Sequence, residues 1–212
     1  MAKRADGLSR ELIVRTATEL LDGGGEAALT LKALTIRLNT GYGAIYHHVA
    51  NRNDLLATAT DDTIARVLTG LVADADPRDA LRTIASSLFD VIDAHPWVGA
   101  QLSRDPSRPA LLDIYENIGR LLDALGVPER ALPDAASALV NYVLGVAAQN
   151  AANASVPNRA EFLGGVADRW TQLDPDKYPF VRKAATHLRE HDDREQFLAG
   201  VDIFLAGIAT LR

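Results

Sequence analysis

The chain contains 212 residues, of which 48% are hydrophobic and 24% charged, and its formal net charge is -6. These proportions are typical of a globular protein with a substantial core. The sequence has no cysteine, which excludes disulfides, thiolate metal sites and cysteine nucleophiles. No apolar run follows the basic N-terminus, so we expect no signal peptide. No later stretch contains about 18 consecutive apolar residues, so we expect a cytoplasmic protein without a membrane span.

The net negative charge argues against a nucleic-acid partner, because DNA requires compensating cations. The charge is, however, unevenly distributed along the chain. Residues 1–60 carry seven Lys or Arg and six Asp or Glu, whereas the remainder carries 15 and 22. The acidity therefore belongs to the C-terminal part, and a role on DNA has to be argued from pattern rather than from charge.

Hydrophobic residues recur at helical spacing along almost the whole chain, which predicts an all-α fold. A first helix begins after Ser9 and stops at the glycines 23–25. Two short helices follow at about 31–38 and 41–48, and Asn51 caps a longer helix that reaches about residue 69. Proline and glycine positions then predict helices at about 78–94, 108–125, 134–154, 158–173, 179–190 and 194 to the C-terminus.

Residues 30–56 place two short helices on either side of a tight turn, which is the arrangement of a helix-turn-helix. In this motif the second helix enters the major groove of DNA and the first packs across it. The apolar positions that we expect inside the small core are Leu34, Leu38, Ala44 and Ile45. Four residues of the second helix then remain at or near the exposed face: Tyr42, Gly43, Tyr46 and His47.

This segment resembles the tetracycline-repressor (TetR) family of transcriptional regulators. Nine positions fall on the family motif in one ungapped register: Thr30, Leu34, Leu38, Gly43, Ile45, Tyr46, His48, Arg52 and Leu55. The resemblance implies a helix-turn-helix DNA-binding domain at 1–56 and a helical ligand-binding and dimerisation domain at 57–212. It also implies a repressor that binds a palindromic operator in double-stranded DNA as a homodimer. A small hydrophobic effector would release this repressor from the DNA.

By this resemblance, the hydroxyl of Thr30 and the first amides of its helix would bind a phosphate, and Lys32 would add a charged phosphate contact. Tyr42 and Gly43 begin the recognition helix, where a side chain and a close backbone approach can meet base edges or a thymine methyl. Three further residues would reach the sugar-phosphate backbone: Tyr46, His47 and Arg52.

The turn departs from the family pattern, because Asn39, Thr40 and Gly41 stand where Gly-Val-Ser is frequent. We expect Thr40 to replace the missing serine as helix cap and phosphate ligand. Lys3 and Arg4 fit either a minor-groove arm or a flexible basic terminus.

Polar side chains lie among apolar ones in the predicted helices 108–125 and 134–154. They suit either a ligand cavity with few polar groups or close helix contact, and each one taken singly suits core packing equally well. The candidate ligand-binding residues are Phe89, Trp97, Leu102, Tyr115, Asn141, Gln149 and Trp170.

The last helix is apolar and contains small residues, so we expect it to pack with the helix at 134–154 in a four-helix interface across a dimer axis. The residues assigned to that interface are Phe197, Gly200, Val201, Phe204, Leu205, Ala206, Gly207 and Ile208.

An enzyme is the competing class, but the sequence has no Gly-x-Ser-x-Gly, phosphate loop, dinucleotide fingerprint or catalytic carboxylate cluster. We therefore expect no catalysis, cofactor or metal. A second alternative, motivated by the acidic charge, is an all-helical small-molecule-binding or adaptor protein without DNA contact.

We expect His95 to bind a neighbouring helix end rather than a metal, and the pair His187 and His191 is weak evidence for zinc.

Overall fold

The computed structural model describes residues 8–70, 76–154 and 158–211, and Lys3 and Arg4 lie outside these ranges. The described residues form eleven α-helices and two short 3-10 turns, with no strand among them, which confirms the all-α prediction. The helices are α1 (Arg10–Ala28), α2 (Leu31–Leu38), α3 (Tyr42–Tyr46), α4 (Arg52–Thr69), α5 (Pro77–Ala94), α6 (Pro96–Leu102), α7 (Pro109–Ala124), α8 (Leu132–Ala154), α9 (Arg159–Thr171), α10 (Pro179–Leu188) and α11 (Asp193–Ile208).

Helix α1 begins where the sequence predicts, because the hydroxyl of Ser9 accepts a hydrogen bond from the amide of Leu12 at 3.2 Å. Its regular part ends at the predicted glycines. Gly24 and Gly25 leave helical geometry, and Gly25 takes φ +62°, a conformation that strains other residues. The chain then resumes a last helical turn to Ala28, so the break is a kink inside α1 rather than the end of the helix.

Helices α1 to α4 enclose a small core at the N-terminal end of the molecule. Apolar residues from all four helices are completely buried there, among them Ile13, Leu34, Ile45 and Leu55. Helix α4 continues without interruption past residue 56, so it belongs to both parts of the molecule. The division of domains at that residue stays a prediction.

Helices α5 and α8 pack along each other at the centre of the larger bundle, with α7 and α11 against them. The sequence signals placed the starts of these four helices within two residues of the observed ones, whereas α11 ends at Ile208 and not at the C-terminus as predicted. Helix α6 is not among the predicted helices, although Pro96 marks its start. It is short and almost wholly buried, and it lies between α8 and α1.

An aromatic cluster joins α5, α8 and α11. The ring of Phe197 is fully buried, with its centroid 4.6 Å from Phe89 and 5.7 Å from Tyr142. The hydroxyl of Tyr142 donates to the Phe197 carbonyl at 3.0 Å, and Gly200 on the next turn of α11 makes room for the tyrosine.

These contacts correct the predicted dimer face. Four residues assigned to the interface lie in the core of their own subunit, because α11 turns its larger apolar side chains toward α5 and α8: Phe197, Val201, Leu205 and Ile208. The face that α11 leaves exposed contains Ile203, which is 74% exposed, together with Ala206 and Gly207.

The segment Glu129–Asn153, which includes most of α8, is long and apolar enough to cross a membrane by length and composition, with a mean hydropathy of 1.3. The expectation that no such segment exists is therefore wrong. The core helix of a soluble protein passes the same test, and α8 packs against α5, α7 and α11. Only 33% of the apolar window is buried, so much of its surface is left for contacts outside the subunit.

The close approach of α8 and α11 gives a stability prediction. A Cβ atom at Gly200 would lie 1.8 Å from the Tyr142 hydroxyl oxygen. Gly200→Ala should therefore lower the free energy of unfolding by about 1–3 kcal/mol, because the partly buried Tyr142 has to move. Urea denaturation measures the change. The matched control is Gly119→Ala on α7, where nothing lies within 4 Å of the new Cβ. An equal loss of stability in both variants would contradict the interpretation.

Candidate nucleic-acid interface and cavity

The turn between α2 and α3 is built by Asn39, which adopts the left-handed conformation with φ 48° and ψ 51°. Asparagine tolerates this conformation, and the following amide of Thr40 donates to the Thr35 carbonyl at 3.1 Å. Gly41 then occupies the N-cap of α3 and no side chain caps this helix. The prediction that Thr40 replaces the usual serine cap is wrong for this reason, while its role as a phosphate ligand stays a prediction.

Helix α3 presents two aromatic side chains outward. Tyr42 is 50% exposed and Tyr46 is 51% exposed, and Gly43 and His47 are exposed beside them. Ile45 is completely buried and belongs to the apolar core. The tyrosines are therefore available to a partner rather than used for packing.

Helix α2 packs against α3, and its N-cap is Thr30. The hydroxyl oxygen of Thr30 caps α2 by accepting from the amide of Ala33 at 3.0 Å. Lys32 is exposed two residues further on and forms no ion pair with the described residues. Phosphate contact by Thr30 and Lys32 stays a prediction.

Arg52 takes a different position from the one expected of a phosphate ligand. Its Nε donates to the Leu29 carbonyl at 2.8 Å, and its Nη2 donates to the carbonyl of Glu26. The guanidinium thus ties the start of α4 to carbonyls at the end of α1, where the Glu26 carbonyl also accepts from the amide of Leu29. A further contact with phosphate stays a prediction.

A second set of polar contacts links α1 to α6. One carboxylate oxygen of Asp22 lies 2.6 Å from Nδ1 of His95 and accepts from Nε1 of Trp97 at 2.8 Å. His95 thus binds a carboxylate inside α1, which ends six residues later at Ala28, and not the helix end that we expected. Trp97 is 5% exposed, so its indole lies inside the junction rather than in a ligand cavity.

Glu26 repeats this link one helical turn later. Its Oε1 accepts from Nε2 of Gln101 at 2.8 Å and from the Arg104 guanidinium at 2.7 Å. The hydrogen bond from Arg104 is the main cause that lowers the pKa of Glu26, against a smaller opposing effect of burial. The carboxylate is therefore the favoured state in this junction.

Helix α4 is joined to the bundle in a third way. Asp61 accepts a hydrogen bond at 3.3 Å from the amide of Ala110 in the first turn of α7. Burial raises the pKa of Asp61 despite this hydrogen bond and the nearby Arg108. Helices α1 and α4 of the N-terminal unit thus both contact the bundle through acidic side chains.

The seven candidate ligand residues do not come together. Phe89 and Leu102 are packed in the core, and Tyr115 bonds Ser137 on α8 through its hydroxyl at 2.8 Å. Asn141 is exposed on the outer face of α8. Ligand contact by the seven stays a prediction: Phe89 borders one cavity together with Asp90 and Asn150, whereas Gln149 and Trp170 line a larger one.

That cavity lies between α8, α9, α10 and the start of α11, and its volume is about 560 Å³. This size suits a small organic molecule. Its wall combines aromatic side chains, aliphatic side chains and a group of amides and imidazoles. Arg159, His191 and Asp193 form a hydrogen-bonded group at one end.

Sequence reasoning missed the links between α1 and α6 and most of the cavity. The i, i+4 spacing of Asp22 with Glu26, and of Trp97 with Gln101, was a visible signal that two polar positions share one helix face. That signal does not reveal which faces meet, because the partners are about 75 residues apart. No local pattern joins α8 to the hairpin of α9 and α10.

The fold and this surface define a class: an all-helical protein with an N-terminal helix-turn-helix carried on a larger helical bundle. Residues 72–212 match the family model for the tetracyclin repressor-like C-terminal domain. The protein is similar to the transcriptional regulator SCO7222, a TetR from Streptomyces coelicolor, with 48% identity over 96% of this chain and 99% of that chain, and a TM-score of 0.90. The chain belongs to the TetR family of transcriptional regulators, as the residues of the helix-turn-helix had indicated.

Two further relatives agree with this assignment. An HTH-type transcriptional regulator of Saccharopolyspora erythraea is 31% identical over 65% of this chain. The match spans 59% of that protein, so this chain covers little more than half of the curated relative. The TetR family protein ActR of Streptomyces coelicolor, in complex with actinorhodin, shares the fold with a TM-score of 0.80 at 23% identity over 96% of each chain.

The link between Glu26 and α6 gives a prediction with a pH dependence. The pKa of Glu26 is lowered in the folded chain, so the carboxylate stabilises the fold at pH values above its ordinary pKa of 4.5. This stabilisation is lost as the pH falls through the pKa of the folded chain. Glu26→Gln should therefore cost about 1 kcal/mol at pH 7, with a smaller cost at pH 3.5. Urea unfolding at both pH values measures it.

The control for this comparison is Glu116→Gln, a substitution at an exposed position of α7. It should change the free energy of unfolding by less than about 0.5 kcal/mol at either pH. A cost for Glu26→Gln that stays constant between the two pH values would show that the charge of the carboxylate does not matter.

Proposed function

We propose that this protein is a homodimeric repressor that binds a palindromic operator in double-stranded DNA and leaves it when a small molecule binds the helical bundle. The observation that carries this proposal is the exposed face of α3, where two half-exposed tyrosines stand on a helix anchored by a buried isoleucine. Such a surface is directed at a partner. The proposal places the protein in the cytoplasm with the DNA that it regulates, and it assigns no catalysis or cofactor.

The contacts with DNA divide into two kinds. Tyr42 and Gly43 begin α3, so they lie where a recognition helix meets base edges. Thr30 and Lys32 on α2 are placed for the phosphates. On the same surface, Thr40, Gly41, Tyr46 and His47 are assigned to the backbone.

The second copy of the chain has a suitable surface on α8 and α11. Asn141 and Gly145 are exposed one turn apart on α8, and Ile203 and Gly207 are exposed one turn apart on α11. Two such helix pairs related by a two-fold axis form a four-helix contact. This arrangement keeps the helices of the predicted interface and replaces its side chains with those that the core leaves free.

The links from α1 and α4 to the bundle explain how a ligand would act. A molecule that prefers one arrangement of the bundle helices shifts the distance between the two α3 helices of a dimer, because α6 is bonded to α1 and α7 to α4. ActR has the same fold and was crystallised with a small molecule, which supports an effector in this family member. The alternative of a helical adaptor without DNA contact leaves the exposed tyrosines of α3 unexplained.

Tyr42→Ala should weaken operator binding by about tenfold or more, because a base contact is worth about 1–3 kcal/mol. The measurement is fluorescence anisotropy with DNA upstream of the protein's own gene, or with a duplex selected from random sequences. Tyr178→Ala, an exposed tyrosine far from α3, serves as the control and should leave affinity unchanged. Failure to bind any selected duplex would contradict the proposal.

Salt dependence separates the phosphate contact from the base contact. Lys32→Ala should weaken binding to all duplexes alike and reduce the slope of log affinity against log salt by about 1. Lys177→Ala, which removes a lysine before α10, should leave the slope unchanged.

Ile203→Asp should convert the dimer into a monomer, because it places a charge in an apolar contact. Sedimentation velocity measures the state, and operator affinity should fall with it because each monomer holds one half-site. Leu112→Asp is the matched control, since Leu112 is 55% exposed on α7, away from the proposed interface. A dimer that persists with aspartate at position 203 would place the interface elsewhere.

A further inference from the structure

The outward face of α3 holds two phenol rings beside a gap. Tyr42, Gly43 and Tyr46 fall within about a third of the helix circumference, and all three are exposed. The hydroxyl groups of the two tyrosines form no hydrogen bond with the described residues, so no polar contact within the chain holds either ring. This face therefore offers apolar ring surface to a partner.

The fold of the chain does not explain Gly43. Its φ lies outside the left-handed region, and a Cβ atom at this position would meet nothing within 4 Å. Glycine inside a helix is less favourable than alanine, because it loses more conformational freedom on folding. The missing side chain therefore serves a partner, and the partner of a recognition helix is the floor of the major groove.

The residue types of α3 exclude the usual way of reading purines. The side chains that bind a guanine or adenine edge through two hydrogen bonds are Arg, Lys, Asn and Gln. The five residues of α3 are Tyr, Gly, Ala, Ile and Tyr. What such a helix can contact is the apolar group that the major groove presents, the 5-methyl group of thymine.

We propose that α3 recognises thymine methyl groups, with the ring of Tyr42 packed on the methyl and the gap at Gly43 admitting it. This inference rests on the proposed repressor function, and it names the base that the operator half-sites present to α3. The contact is made by the apolar ring and needs no hydrogen bond from the phenol hydroxyl.

Deoxyuridine in place of thymidine removes the methyl group and leaves base pairing unchanged. The probe is the duplex that the full chain selects from random sequences, with each thymine replaced in turn at equivalent positions of both half-sites. Fluorescence anisotropy should show at least one position where uracil weakens binding by about tenfold, because each buried methyl is worth about fourfold and the dimer loses two. Affinity that uracil changes at no position would overturn the proposal.

Two variants of Tyr42 assign this effect to its ring. Tyr42→Phe should keep the preference for thymine over uracil, whereas Tyr42→Ala should reduce it to less than about twofold. Loss of the preference in Tyr42→Phe would show that the hydroxyl reads the base, and its survival in Tyr42→Ala would place the methyl contact elsewhere; either result overturns the proposal. Lys32→Ala is the control, because loss of a phosphate contact weakens binding to both duplexes alike.

Gly43→Ala tests the gap. The urea midpoint of unfolding should rise, because alanine favours the helix. Binding to the thymine duplex should nevertheless weaken by about tenfold, and binding to the uracil duplex by less, because the new methyl group occupies the space that uracil leaves empty. Gly119→Ala, where a Cβ also meets nothing within 4 Å, is the matched control and should change neither affinity. Unchanged operator affinity in Gly43→Ala would overturn the proposal.

The outcomes separate this proposal from the repressor itself. A chain that selects no duplex refutes the repressor and this inference with it. A chain that selects a duplex insensitive to uracil, but weakened by 7-deazaguanine or 7-deazaadenine, binds DNA through purine edges. That result refutes only the recognition of thymine.

Discussion

The structure depends on two carboxylates placed one helical turn apart on α1. Asp22 and Glu26 each bind two side chains of the α6 region, at distances between 2.6 and 2.8 Å. The backbone carbonyl of Glu26 also receives Arg52 from α4. One short segment of chain, fixed beside the kink at Gly25, therefore holds the helix-turn-helix, the connecting helix and the bundle in a single arrangement. Charged hydrogen bonds of this kind are strong and directional, so a displacement of α6 reaches α1.

The same junction explains why the interior of the bundle is packed where the sequence suggested a ligand. Trp97 and Leu102 lie on the face of α6 that joins α1, α5 and α8, and the ring of Phe89 is stacked on Phe197. Close packing makes this region stiff and suited to transmitting a shift. The open volume lies instead at the far end of α8, where the hairpin of α9 and α10 leaves a groove with unpaired amides.

Much of the fold could be predicted, because its signals are local. Caps at Ser9 and Asn51, prolines at the starts of α5, α7 and α10, and helical spacing of apolar residues placed most helices correctly. Helix α6 was missed because its seven residues, five of them buried, are too few to show a periodic pattern. The dimer face was assigned to the most apolar side of α11, which the monomer core takes for itself.

The sequence by itself determined the all-α class, the two short helices with their turn, and the outward direction of Tyr42 and Tyr46, since each follows from spacing within a few residues. Only the tertiary structure decided that Arg52 binds carbonyls of α1, that Trp97 serves the junction with Asp22, and that a cavity opens beside Arg159 and Asp193. The physical reason is that these features arise between helices distant in sequence, and helical periodicity specifies which face is buried but not which helix covers it.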